Sequence, residues 1–111
     1  MIIADEIAKE LEEFKAVCAK HSVKNLYIFG SSVTDNFDIN TSDIDLLVEI
    51  DDTNPIERGE KLMSLWDSFE DFFHRKVDLL TVSSIRNPFL QKSIDATKVL
   101  IYDGSGQKVL I

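Results

Sequence analysis

An α/β fold, with helices packed against a mixed sheet of four or five strands, is what this sequence predicts, and three observations carry the prediction. Apolar residues recur at steps of three and four in two long segments, the mark of amphipathic helices. Three short runs, "VKNLYIFG", "DIDLLVEI" and "KVDLLTV", are rich in aliphatic residues and are bounded by turn formers, as strands are. Helical and extended runs alternate along the chain, which favours helices layered on a sheet. The 111 residues suffice for one hydrophobic core and are too few for two, so residues 1–111 are read as one domain.

The elements follow in order. In "IIADEIAKELEEFKAVCAKH" the residues Ile3, Ile7, Leu11, Phe14 and Cys18 share one face of a single predicted helix, with charges on the other. "VKNLYIFG" is a strand ended by Gly30, and "SSVTDNFDINT" is a loop or a short helical turn in which Asp35, Asp38 and Asn40 are ordinary turn formers. "DIDLLVEI" is the second strand, and "DDTNP" breaks the chain. From Ile56 to His74, Leu62, Leu65, Trp66, Phe69, Phe72 and Phe73 follow helical spacing. That apolar face is wider than a one-sided helix needs, so part of it, with Met63, is a candidate partner surface. "KVDLLTV" is the third strand. Asn87 suits an N-cap and Pro88 the first helical position of the segment after it. "VLIYDGSGQKVLI" reads as a strand, a tight turn and a short returning strand.

Twenty acidic against twelve basic residues give a formal charge of −8, which opposes non-specific nucleic-acid binding because the chain would repel a phosphate backbone. A nucleotide accompanied by metal ions, or a basic protein, remains compatible with that charge. No run approaches the length of a membrane span, and no basic start followed by an apolar block marks a signal peptide. The lone Cys18 has no partner for an internal disulfide, as expected of a protein in a reducing cytoplasm.

The chemistry concentrates in three places. Asp43 and Asp45 stand two residues apart at the start of the second strand, so an extended chain points both to one face while Ile44, Leu46, Val48 and Ile50 pack on the other. Adjacent carboxylates repel and raise each other's pKa unless a cation sits between them. Asp78 interrupts the apolar third strand, where an acid is costly without a partner. The first strand ends in "FGSS", where Gly30 lets backbone N–H groups approach an anion and Ser31 and Ser32 add hydroxyls. Three acids beside such a turn suit one or two Mg²⁺ ions bridging a nucleotide's phosphates, since Mg²⁺ prefers a few carboxylates plus phosphate oxygens.

With these residues in place, "FGSS…SDIDLLVEI…KVDLLTV" resembles the minimal nucleotidyltransferases of the DNA polymerase β superfamily, and among them the MNT proteins that pair with HEPN toxins. Their pattern is Gly-Ser, a spacer, Asp-x-Asp, then a third acid on a later strand, and the match runs from Leu26 to Val82. The resemblance implies a nucleotidyltransferase-like sheet in which Asp43, Asp45 and Asp78 bind metal and catalyse. It implies that Asp78 activates the attacking hydroxyl, and that Gly30, Ser31 and Ser32 hold the terminal phosphates. It further implies ATP as substrate, Mg²⁺ as cofactor and transfer of AMP to a tyrosine of a partner HEPN toxin, silencing it as an antitoxin would. Two features depart from the pattern. The spacer from Ser31 to Asp43 holds eleven residues, one more than the common spacing, and no Lys or Arg follows the Gly-Ser closely. Countercharge for a triphosphate is then expected from the metals, or from Arg58, Lys61 or Lys92.

Other readings are weaker. "DINTSDIDLLVE" places Asp38, Asn40, Ser42 and Glu49 at calcium-loop offsets, but Asp43 stands where glycine belongs and Asp45 where an apolar residue belongs. A phosphoacceptor signalling domain would carry its acid pair after the first strand, where Gly30 and Ser31 stand. Cys18 belongs to the apolar stripe, and His21 and His74, at predicted helix ends, are read as solvated or dipole-favoured. The alternative of another class is a non-catalytic protein that keeps the fold and neutralises a partner by steric cover and charge. Oligomeric state is left open by the sequence.

Overall fold

The computed structural model describes residues 1–34 and 36–111; Asp35, one of the turn formers named above, lies outside the described residues. Its elements are α1 (Ile2–Lys9), α2 (Leu11–Lys20), β1 (Val23–Ile28), a 3₁₀ turn (Gly30–Val33), β2 (Ile44–Ile50), α3 (Pro55–Phe73), β3 (Val77–Thr81), a second 3₁₀ turn (Val82–Ser84), α4 (Pro88–Thr97), β4 (Val99–Asp103) and β5 (Lys108–Val109). The strands form one sheet in the order β3-β2-β1-β4-β5. β2 and β3 run parallel, joined through α3 as parallel neighbours must be, and the remaining pairs are antiparallel. The α/β architecture with a five-stranded mixed sheet is the one the sequence predicts.

One face of the sheet carries the main core. Leu26 and Ile28 of β1, Ile44, Leu46 and Val48 of β2 and Ile101 of β4 are buried against Ile3, Ile7, Phe14, Cys18, Leu65, Phe69 and Phe73 of the three helices. The Phe14 ring joins α2 to α3, with centroids 5.8 Å from Phe69 and 5.5 Å from Phe72, within the range of favourable aromatic pairs. The opposite face is covered by α4, whose Ile94 packs on Phe29 and Leu47, with Ile85 of the preceding loop beside them. Ten residues of helix cannot cover a five-stranded sheet, so the end of this face where β2 and β3 begin stays open to solvent.

Helices α3 and α4 begin as their sequences dictate. Asn54 Oδ1 accepts from the N–H of Ile56 (3.0 Å) and Glu57 (3.1 Å) ahead of α3, and Asn87 Oδ1 accepts from Phe89 (2.9 Å) and Leu90 (3.4 Å) ahead of α4, each with proline next. The β3 edge is closed by side chains. Val77 N–H donates to Glu70 Oε2 (2.9 Å), Val77 O accepts from Trp66 Nε1 (2.7 Å), and Ser84 Oγ bonds both the N–H (3.2 Å) and the O (2.7 Å) of Thr81. Few backbone groups are left there to pair with another strand.

One expectation needs correction and another is narrowed. The single N-terminal helix is two, broken at Glu10, whose backbone leaves the helical region (φ −131°, ψ 47°). The break turns α2 relative to α1, so Ile3, Ile7, Phe14 and Cys18 stay buried while Leu11 is 38% exposed. His21 is not solvated; it stands at the C-terminal end of α2 with its ring N–H on a last-turn carbonyl, the dipole-favoured placement. It is buried, with Nδ1 2.7 Å from Val17 O and Nε2 2.9 Å from Ser64 Oγ. A carbonyl can only accept, so Nδ1 carries a proton there. The wide apolar face of α3 is largely consumed by the core, leaving Ile56 and Met63 exposed.

Candidate active site

The site is built where β1 ends and β2 and β3 begin. Asp45 is the second residue of β2 and Asp78 the second of β3, and the two are direct partners across the parallel ladder. Partners in a parallel ladder put their side chains on the same face, with the strands about 4.8 Å apart. Ile44 and Val77, the preceding partner pair, are both buried in the main core, which fixes Asp45 and Asp78 on the other side. Asp43 precedes the strand, exposed, on the same side as Asp45 by alternation.

Gly30 closes the site from β1. Phe29 N–H donates to Asp45 O (3.1 Å), which sets the chain leaving β1 beside the second aspartate. Gly30 then takes φ +65°, a left-handed conformation that disfavours any residue with a Cβ. A Cβ on Gly30 would also stand 3.0 Å from Asp45 Oδ2. Glycine is therefore required twice, for its backbone and for the closeness of the carboxylate.

The two serines do different things. Ser31 is exposed, whereas Ser32 is 1% exposed and its Oγ accepts from Asp45 N–H at 3.0 Å. The expectation of two hydroxyls at one spot gives way to one facing outward and one turned inward to hold Asp45. The physical reason is the 3₁₀ turn, which carries successive side chains to different sides. Sequence reasoning also had no cause to bring Thr97 here. Its Oγ1 accepts from Gly30 N–H (3.0 Å) and donates to Ser93 O (2.9 Å), tying the last turn of α4 to the glycine. A threonine in "DATK" carries no sequence signal of such a contact.

Burial raises the Asp45 carboxyl from 3.8 to about 6, and the negative charges of Asp78 and then Asp43 push it the same way. The site is thus poised for a cation, whose charge would cancel that repulsion. Among the described residues no three His, Cys, Asp or Glu side chains converge closely enough to hold a metal ion, so Asp43, Asp45 and Asp78 share a face without forming a ready metal site.

Two of the three basic residues expected to serve a triphosphate, Arg58 and Lys61, are engaged elsewhere. Lys61 Nζ is paired with Asp52 Oδ2 (2.8 Å) and Ser22 Oγ (3.2 Å), and Arg58 donates to Asp52 O (3.1 Å). Asp52 follows the far end of β2, about 20 Å along the strand from Asp45 at roughly 3.3 Å per residue. Lys92 lies exposed on α4. A groove of about 610 Å³, lined among others by Val48, Arg58, Gly59, Leu62 and Thr81, also opens at that far end and includes none of the three acids. Its size does not make it the reaction centre, because it lacks the groups that could do the chemistry.

Residues 12–107 match the family model described as "Polymerase beta, Nucleotidyltransferase". The chain belongs to that nucleotidyltransferase family. A relative in Methanocaldococcus jannaschii, carrying the provisional name of protein adenylyltransferase, is 40% identical over 101 residues, spanning 84% of this chain and 99% of its own. The nucleotidyltransferase fold is also shared with a crystallised toxin–antitoxin complex with AMP-PNP, at TM-score 0.58 and 21% identity over 83% of this chain and 72% of that one. A complex of tri-AMPylated Shewanella oneidensis HEPN toxin with MNT antitoxin matches at TM-score 0.51 and 23% identity, over 85% of this chain and 71% of that one. Among the described residues of this nucleotidyltransferase no helix is long and apolar enough to cross a membrane.

Proposed function

We propose that this nucleotidyltransferase moves AMP from ATP to a hydroxyl of a partner protein, a HEPN-type toxin that it thereby silences as an antitoxin in the cytoplasm. The observation that carries the reading is the register pairing of Asp45 with Asp78 beside the left-handed Gly30. Support comes from the adenylyltransferase name of the M. jannaschii relative, and from the AMP-PNP of one solved neighbour and the AMPylated toxin of the other.

Asp43, Asp45 and Asp78 are the residues that would hold Mg²⁺. Bound there, one or two ions would neutralise the phosphate charge and the leaving oxygen. Gly30, lacking a side chain, would let the terminal phosphates come close and the outward hydroxyl of Ser31 would donate to them, while inward Ser32 serves by fixing Asp45. Asp78 is exposed where a substrate hydroxyl can reach it, which suits the carboxylate that accepts the proton of the attacking group. The formal charge of −8 suits a basic protein acceptor and not a bare polynucleotide.

The test offers the purified protein ATP labelled on the α-phosphate, with Mg²⁺, in a lysate of its host. Asp43→Asn with Asp45→Asn is the control. Label on a discrete protein band with the wild type alone supports nucleotidyl transfer. No label, in a lysate from which a protein co-purifies with this chain, overturns transfer and favours steric neutralisation.

A further inference from the structure

We infer that Thr97 is a positioning residue for the phosphate-binding turn, acting as a hydroxyl clamp between α4 and Gly30; the inference rests on the nucleotide-binding reading above.

Gly30 needs an external restraint. It has no side chain to pack, and glycine samples both signs of φ almost equally, so a turn built on it wanders unless something holds its backbone. Its N–H donates to Thr97 Oγ1 at 3.0 Å, sixty-seven residues away in sequence. The same hydroxyl donates to Ser93 O at 2.9 Å, so its orientation is set by a donor on one side and an acceptor on the other.

The anchor itself is firm. Ile94, one turn before Thr97, is fully buried on Phe29, which precedes Gly30 just past β1, and on Leu47, two residues after Asp45 on β2. Lys98 N–H closes the helix on Ile94 O (2.8 Å), and its ammonium lies 5.1 Å from the Tyr27 ring centroid. Helix, strand ends and turn are therefore one packed unit, and Thr97 is the single polar link from α4 to the glycine among the described residues.

The consequence is chemical. With its N–H engaged by Thr97, Gly30 offers a phosphate not a free amide but a backbone held at a fixed place beside the Asp45 carboxylate. The clamp prepays the ordering of the turn, and a preordered turn binds more tightly than one that must be ordered by its ligand.

The experiment compares the wild type with Thr97→Val, which keeps the shape and deletes the hydroxyl, and Thr97→Ser, which keeps the hydroxyl. Hydrogen exchange of the Gly30 amide is followed by NMR in the full chain, and Mg-ATP is then titrated. The valine variant should exchange the Gly30 amide faster and bind Mg-ATP about three- to tenfold more weakly, the range of one net hydrogen bond. Serine should restore both readouts. Unchanged Gly30 exchange in the valine variant overturns the clamp. So does equal or tighter Mg-ATP binding, which would make the hydroxyl a competitor for the amide, and so does a serine variant as impaired as valine, which would assign the effect to methyl packing. A wild type that binds no Mg-ATP refutes the nucleotide reading instead, and the exchange measurement still decides the clamp.

Discussion

Replacing Asp45 by asparagine should make this protein more stable near neutral pH, although it removes a residue central to the proposed chemistry. The Asp45 carboxyl, raised from 3.8 to about 6, favours its neutral form in the folded state. A raised folded pKa gives stability that is fully present below the unfolded value near 3.8 and is lost as pH rises through about 6. At pH 7.5 the ionised group therefore costs stability. The full shift corresponds to about 3 kcal/mol, and solvent screening of a half-buried carboxylate reduces this to ~1–2 kcal/mol. Asparagine is nearly isosteric and uncharged, so the variant escapes the cost. Urea unfolding followed by Trp66 fluorescence at pH 4 and pH 7.5 measures it. With the slopes usual for small domains, the variant's advantage in midpoint should grow by about 0.5–1 M urea between the two pH values. Taking the difference between the two proteins cancels the opposing contributions of acids such as Asp52 and Asp103, whose carboxyls are held below the usual range. An advantage that does not change with pH, or a variant less stable at pH 7.5, would refute the cost that burial and the acidic neighbours place on the ionised Asp45.

Other substitutions have equally definite outcomes. Gly30→Ala meets both a left-handed backbone and Asp45 Oδ2 at 3.0 Å, so a loss of about 1–2 kcal/mol is expected by chemical denaturation. Ser32→Ala leaves the Asp45 N–H without its acceptor in a buried place; unfolding should register a loss of about 1–3 kcal/mol. Gly59→Ala goes the other way, because nothing lies within 4 Å of the new methyl, and a gain of roughly 0.5–1 kcal/mol should raise the melting temperature.

Much of the site is legible in the chain because its logic is local. Alternation along an extended strand puts Asp43 and Asp45 together, and an acid within "KVDLLTV" stands out from the aliphatic residues around it. The caps Asn87 and Pro88 announce α4, and the apolar periods announce the long helices. Where the period was followed too far, it misled. Leu11 fits the stripe of one continuous helix, but Glu10 breaks that helix, and only the packing of α1 and α2 on the sheet shows it.

What the sequence by itself determined is the set of elements and the chemistry each carries, since propensity, capping and alternation act within a few residues. Tertiary structure alone decided which strand lies beside which and in what register. The pairing of Asp45 with Asp78 depends on a parallel crossover through α3 that brings together residues thirty-three positions apart. The inward turn of Ser32, the diversion of Arg58 and Lys61 to Asp52 and the reach of Thr97 to Gly30 are likewise contacts across the fold. No local pattern encodes them, because each is fixed by how the buried faces fit together, and a single hydroxyl or charge follows wherever that packing puts it.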